Sequence, residues 1–303
     1  TTLFRSGPSV EVHGAQETCV LVGIVNKRQN IDVLTEYLDE LAFLAETAGA
    51  TTLKSFKQRL PHPDSRTFVG KGKLEEIKQY VAQKDVDVVI FDDELTGSQI
   101  TNIEKEVKCR VIDRSDLILD IFASRARTAQ AKVQVELAQY QYILPRLKGM
   151  WTHLERQGAG IGSRGPGETE IETDRRRIND KMSKLRREIK EMKISRDIKR
   201  NERRKNNIPS VAIAGYTNAG KSSLLNRLTG ADVLVENALF ATLDPTVRKT
   251  QSHDGRVYTF VDTVGFVRHL PHQLVEAFKS TLEEVSQSDL IVHVVDEIGR
   301  AHV

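Results

Sequence analysis

A chain of 303 residues with 29% charged and 39% apolar residues has room for two or more domains, each able to bury its own core. No apolar run reaches the length of a membrane span, and residues 1–12 lack the charged-then-apolar order of a secretory signal, so membrane and secreted classes are set aside and a cytoplasmic location is expected. Cys19 and Cys109 each open an apolar, strand-like run and read as buried thiols, while the eight histidines show no Zn²⁺-ligand spacing.

In chain order, Cys19 to Val25 reads as a buried strand, Ile31 to Ala48 as an amphipathic helix ending at Gly49, and Thr51 to Phe56 as a second strand. Leu74 to Val81 and Ser98 to Val107 look helical, with strands at Val86 to Phe91 and Arg110 to Ile112. This alternation predicts an α/β domain over 1–113 with a parallel sheet covered by helices. Val69-Gly70-Lys71-Gly72-Lys73 resembles half of a phosphate loop, and a plain turn before a helix is favoured over a ligand site.

Residues 114–208 carry no strand signal. Val133, Leu137, Tyr140, Leu144 and Leu147 are spaced four, three, four, three, and place one seam on a long helix with a break expected near Pro145. Ile178, Met182, Leu185, Ile189 and Met192 repeat the spacing, which predicts a long antiparallel helical hairpin. From Asp174 to Lys205 there are fifteen Lys and Arg against six Asp and Glu, an excess of +9 in a chain whose net charge is +3, so the remainder carries −6. Such an imbalance favours nucleic acid or another polyanion over solvation alone, with Arg175, Arg176 and Arg177 as candidate contacts. Between the helices, residues 148–170 form a glycine-rich stretch with the chain's single tryptophan. Trp151, Arg156 and Arg164 are candidate RNA contacts there, and a ligand-free hinge is the open alternative.

Residues 209–303 open with Val211 and Ile213 of an apolar strand, then Gly215-Tyr216-Thr217-Asn218-Ala219-Gly220-Lys221-Ser222, then a helix-like run. This is G-x-x-x-x-G-K-[ST] between a strand and a helix, in which backbone N–H groups and the lysine cradle phosphates and the serine hydroxyl ligates Mg²⁺. Phe240, Ala241, Thr242, Leu243 and Asp244 lie in an irregular stretch that suits a switch sensing the terminal phosphate, with Thr242 preferred over Thr246 as a Mg²⁺ ligand. Strand Val257 to Val261 then delivers Asp262-Thr263-Val264-Gly265, the D-x-x-G pattern, followed by a helix over 273–285 and a strand over 290–295. No N-K-x-D motif for guanine follows before Val303, so this third domain is expected to be an incomplete P-loop GTPase domain, and the residues themselves leave the base open.

The combination resembles HflX-type GTPases. The likeness rests on VGKGK at 69–73, VIDRSDLILDIFASRARTAQAKVQVELAQ at 111–139, WTHLERQ at 151–157, GIGSRGPGETEIETDRRRI at 160–178, GYTNAGKS at 215–222, FATLDPT at 240–246 and DTVGFVRHLPHQLVEAFKSTLEE at 262–284. It implies GTP and GDP as ligands with Mg²⁺, and the large ribosomal subunit and its RNA as partners. It also implies a role in splitting or rescuing stalled ribosomes, by a chain read as a monomer. Asn218 resembles the phosphate-loop asparagine of K⁺-activated GTPases, so K⁺ is a further candidate cofactor. Phe266 stands where Ras-like enzymes carry a water-orienting glutamine, and slow intrinsic hydrolysis is expected. The alternatives are an RNA-binding scaffold with a static nucleotide and a P-loop ATPase or kinase.

Overall fold

The computed structural model describes residues 17–25, 31–151, 166–205, 208–230, 239–240, 243, 246–251, 255–268, 270, 282 and 285–296. In the N-terminal part, strands β1 (Thr18–Val25), β2 (Thr51–Arg59), β3 (Val88–Phe91) and β4 (Arg110–Asp113) alternate with helices α1 (Ile31–Thr47), α2 (Lys71–Lys84) and α3 (Gly97–Val107). The strands pair in parallel in the order β2-β1-β3-β4, which fulfils the α/β expectation.

Period-two alternation explains why the central strands read as unbroken apolar runs. Leu21, Ile90 and Ile112 face Leu34, Leu38, Leu41 and Leu44 of α1 in one core. Val20, Val22, Val89 and Phe91 face the other way, towards Ile77 and Val81 of α2 and Ile103 and Val107 of α3. The glycine-lysine segment forms the cap and first turn of α2, with Gly70 as the capping residue.

Helix α4 (Arg114–Arg125) departs from the expected division of the chain. Asp113 caps it by accepting the Asp116 N–H at 3.0 Å, and Leu117, Ile118, Ile121 and Phe122 join the core beneath α1. The boundary drawn at 113 therefore separates a helix from its own cap. Amphipathic packing on the sheet, invisible in a count of helical signals, ties α4 to the N-terminal unit.

The hairpin consists of α5 (Ala129–Trp151) and α6 (Pro166–Lys205). Leu137, Met182 and Leu185 are buried at the seam, flanked by Val133, Tyr140, Leu144, Ile178 and Ile189, as the spacing predicts. Two expectations are corrected. Pro145 does not break α5, which continues to Trp151. An interior proline costs about 3 kcal/mol, and here burial of Tyr142, Arg146 and Leu147 on either side offsets that cost. The glycine-rich connection is also shorter than residues 148–170, because both its ends are helical. Pro166 suits a first helical turn, where its missing N–H leaves no bond unmade.

The third part holds β5 (Ser210–Gly215), α7 (Lys221–Thr229), β6 (Thr246–Gln251), β7 (Val257–Asp262) and β8 (Leu290–Val294), with strand order β6-β7-β5-β8. Strand β6 runs antiparallel to β7 on the sheet edge and was not foreseen, because only Val247 in Thr246–Gln251 is strongly apolar. Of the helix expected over 273–285, Leu282 and Val285 are described and helical, and the rest lies almost wholly outside the described residues.

Candidate functional site

The phosphate-loop motif sits where a parallel β-strand turns into a helix, between β5 and α7. Asn218 and Gly220 adopt left-handed φ of 60° and 86°, which turns the loop over. Gly215 is required for a different reason. A Cβ there would lie 2.3 Å from the Val294 carbonyl oxygen of β8. Lys221 is buried and donates from Nζ to the Tyr216 carbonyl at 2.6 Å, which folds the ammonium into the loop. Burial pushes its pKa down, with the Asp262 carboxylate pulling the other way.

Ser222 donates from Oγ to Asp262 Oδ2 at 2.9 Å, across the ends of α7 and β7. A hydroxyl and a carboxylate in contact form an all-oxygen donor pair of the type a hard divalent cation takes, so these residues fit Mg²⁺. Thr263 is tied down by its hydroxyl, which donates to the Ile213 carbonyl at 2.6 Å.

The segment at Phe240 and the D-x-x-G turn converge on one residue of the loop. The Phe240 N–H donates to Thr217 Oγ1 at 2.9 Å, and the Thr217 N–H donates to the Phe266 carbonyl at 2.8 Å. Phe266 returns its own N–H to the Gly215 carbonyl at 3.1 Å. Gly265 lies so close that a Cβ would meet Thr217 Cα at 2.4 Å. The structure thus brings together Gly215 to Ser222, Asp262 to Gly265, and Phe240. Leu243 is buried nearby in the same core as Phe240. Ala241, Thr242 and Asp244 lie outside the described residues.

Sequence reasoning missed what holds these segments from the far side. Leu239, Phe240, Leu243, Val264 and Val267 share a core with Leu41, Leu44 and Phe122 of the N-terminal part. The Phe240 ring meets Phe122 edge to face, and the Leu239 N–H donates to Thr47 Oγ1 at 3.3 Å. Just past D-x-x-G, the Arg268 N–H donates to Glu40 Oε1 at 3.2 Å, and its guanidinium donates to Glu36 Oε2 at 2.9 Å while lying over Tyr37. Glu40 also accepts from Arg114, a fully buried guanidinium whose other partner is Asp92. No local motif announces such contacts, since the Leu239–Thr47 and Arg268 pairs join positions 192 to 232 residues apart.

The candidate RNA contacts belong to the hairpin. Arg175, Arg176 and Arg177 are exposed on α6, and Trp151 is the last residue of α5. Arg156 and Arg164 lie outside the described residues.

Comparison with known proteins accords with this geometry. Family models match along the chain: "GTP-binding GTPase N-terminal" over residues 35–123, "GTP-binding GTPase Middle Region" over 125–203, and "50S ribosome-binding GTPase" over 210–303. The GTPase HflX of Flavobacterium psychrophilum is 53% identical over 92% of this chain, and that of Caldanaerobacter subterraneus subsp. tengcongensis is 51% identical over 98%. The chain spans 67% and 68% of their lengths, about two thirds. Among solved structures, the SsGBP complex with GDP is 29% identical with a TM-score of 0.54, covering 94% of this chain and 73% of that one. The match favours a GTPase over the ATPase or kinase reading that the missing base motif kept open. With relatives of that name at more than half identity over nearly all of its length, and family models matching in order along it, the chain belongs to the HflX family of GTPases.

Proposed function

We infer that this chain binds GTP with Mg²⁺ at residues 215–222, hydrolyses it to GDP and phosphate, and acts in the cytoplasm on the large ribosomal subunit. There its basic hairpin contacts ribosomal RNA in the splitting or rescue of stalled ribosomes. The observation that carries this reading is the convergence of both switch segments on Thr217, which couples the occupancy of the loop to segments packed on the N-terminal part. The description of the matching GTPase model, which names the 50S subunit, supports the partner. SsGBP bound to GDP supports the ligand.

In this reading Lys221 turns from the Tyr216 carbonyl to the phosphates, Ser222 and Thr242 would ligate Mg²⁺, and Asp262 would reach it through water. When bound, Mg²⁺ would neutralise charge on the phosphate oxygens. Phe266 has no polar side-chain atom to orient an attacking water, so turnover by the chain alone is slow. Asn218 would hold K⁺ beside the phosphates, where its charge, together with the ribosome acting in trans, would supply what is missing. The test is GTP turnover in K⁺ against Na⁺, with and without purified 50S subunits. Stimulation by K⁺ and by the subunit is expected. Equal rates in the two salts remove the K⁺ role, and equal rates with and without the subunit remove ribosomal activation.

A further inference from the structure

The surface of α6 is divided lengthwise into two stripes of different electrostatic character. Arg176, Asn179, Ser183, Arg186 and Lys190 follow a three, four, three, four spacing, with Arg175 and Arg187 beside them. All are exposed, and from Arg175 to Lys190 this stripe contains no carboxylate. Among the described residues, none of its five cations makes an ion pair. The neighbouring stripe is Arg177, Asp180, Lys184, Glu188 and Glu191, and its cations are paired: Arg177 with Asp174 at 3.7 Å and Lys184 with Glu188 at 4.0 Å. Lys181, at the border with the seam, reaches across the hairpin to Glu136 at 3.1 Å. Between Arg175 and Lys190, the cations without a carboxylate partner among the described residues thus lie on one side of the helix.

We propose that the stripe Arg175, Arg176, Arg186, Arg187 and Lys190 is the surface that grips the phosphodiester backbone of large-subunit RNA, and that the Arg177 and Lys184 side is a solvated face outside the contact. The proposal rests on the ribosomal reading above and narrows it to particular side chains. A cation with a carboxylate partner has part of its charge satisfied within the protein. An unpaired row releases counterions when it meets phosphates, the main source of affinity in such interfaces. Arg176 and Arg187 are separated by about 16 Å along the helix axis at 1.5 Å per residue. The short polar Asn179 and Ser183 lie between the two cationic groups, so two backbone segments fit against the stripe at once. Four of the five cations are arginines, whose planar fork engages phosphate oxygens in pairs. Three arginines that look equivalent in sequence, Arg175, Arg176 and Arg177, are therefore assigned different roles.

The test compares the full chain with Arg176→Gln/Arg187→Gln/Lys190→Gln and with Arg177→Gln/Lys184→Gln in co-sedimentation with 50S subunits across a salt series, and in binding to protein-free large-subunit RNA. Melting curves of each variant establish folding. The triple variant is expected to lose tenfold or more in affinity, and its salt slope to fall by about one for each phosphate contact removed. The double variant stays within about twofold of the parent. Arg176→Lys/Arg187→Lys keeps the charge and is expected to keep the salt slope. Equal losses in both variants, or no loss in the triple variant, overturn the stripe while leaving ribosome binding intact. An effect on subunits that is absent on protein-free RNA assigns the stripe to a ribosomal protein and overturns it as well. Failure of the parent chain to bind subunits at all removes the underlying reading instead.

Discussion

The rings of Phe240 and Phe122 meet edge to face with centroids 4.6 Å apart and planes at 84°. One belongs to the segment between α7 and β6 and the other to α4 of the N-terminal unit. Phe240 is 1% exposed and Phe122 is fully buried, so neither ring has an alternative environment while the two parts stay together. Replacing Phe122 with alanine removes the wall against which the switch is seated. Core truncations of this type cost about 3–5 kcal/mol. Phe122→Ala is expected to lower the melting temperature and to speed release of a fluorescent GDP analogue in stopped flow. Phe122→Leu, which refills most of the volume, is expected to do less of both.

Glu36 and Glu40 both touch Arg268 and should respond differently to mutation. Glu36 is an exposed partner of a half-buried arginine, and such pairs contribute about 0.2–1 kcal/mol. A double-mutant cycle of Glu36→Gln with Arg268→Gln is expected to give a coupling in that range, read by urea denaturation. Glu40 is shared with the buried Arg114, so Glu40→Ala leaves that guanidinium with Asp92 as its remaining carboxylate partner. Breaking one side of a buried pair costs about 3–5 kcal/mol. A Glu40→Ala variant as stable as Glu36→Gln would show that the buried charge is satisfied elsewhere.

Asp116, near Asp120 and Asp113, has its carboxyl pushed up from the ordinary aspartate range to about 7, first by burial and then by those two neighbours. A raised carboxyl pKa means that the folded state holds a proton the unfolded state has lost. The stability this gives is fully present below about pH 4 and declines as pH rises towards 7, beyond which it is constant. Asp116→Asn is expected to flatten that decline and to gain stability relative to the parent at pH 8, on the order of a few kcal/mol at most. Chemical denaturation at pH 5 and pH 8 measures it, and an identical pH dependence in the two proteins would exclude Asp116 as its source.

Gly265 has no room for a side chain, since a Cβ would lie 2.4 Å from Thr217 Cα. Gly265→Ala is therefore expected to push the D-x-x-G turn away from the phosphate loop and to weaken the hydrogen bonds between Phe266 and Gly215 and Thr217. Faster amide exchange at Phe266 and Thr217, with the global melting point changed by only a few degrees, is the expected signature. Unchanged exchange would mean that the turn does not rest on the loop in solution.

The parts of this architecture governed by short-range rules were legible in the sequence. Gly215 to Ser222 announced a strand, a loop and a helix because phosphate binding demands that order. The seam from Val133 to Leu144 announced the hairpin because its period is helical. Strand β6 escaped because an edge strand needs little apolar content, and α5 ran through Pro145 because Arg146 and Leu147 are anchored beyond it. The seating of Phe240 on Phe122 and of Arg268 on α1 depends on how two separately folded surfaces meet. No periodicity within either segment encodes that.

The anchoring of α5 has a mechanical consequence. Arg146 is buried and bonds to the Leu95 carbonyl, the Tyr142 carbonyl and Asp113, while the α3 backbone at Gly97 comes so close that a Cβ would lie 2.5 Å from the Arg146 carbonyl oxygen. A helix of 23 residues, about 34 Å long, is thus clamped near its C-terminal end against the same unit that seats the switches. Because Arg146 stands five residues before the end of α5, this clamp fixes the helix end that leads into the glycine-rich connection, and the N-terminal unit sets where that end lies.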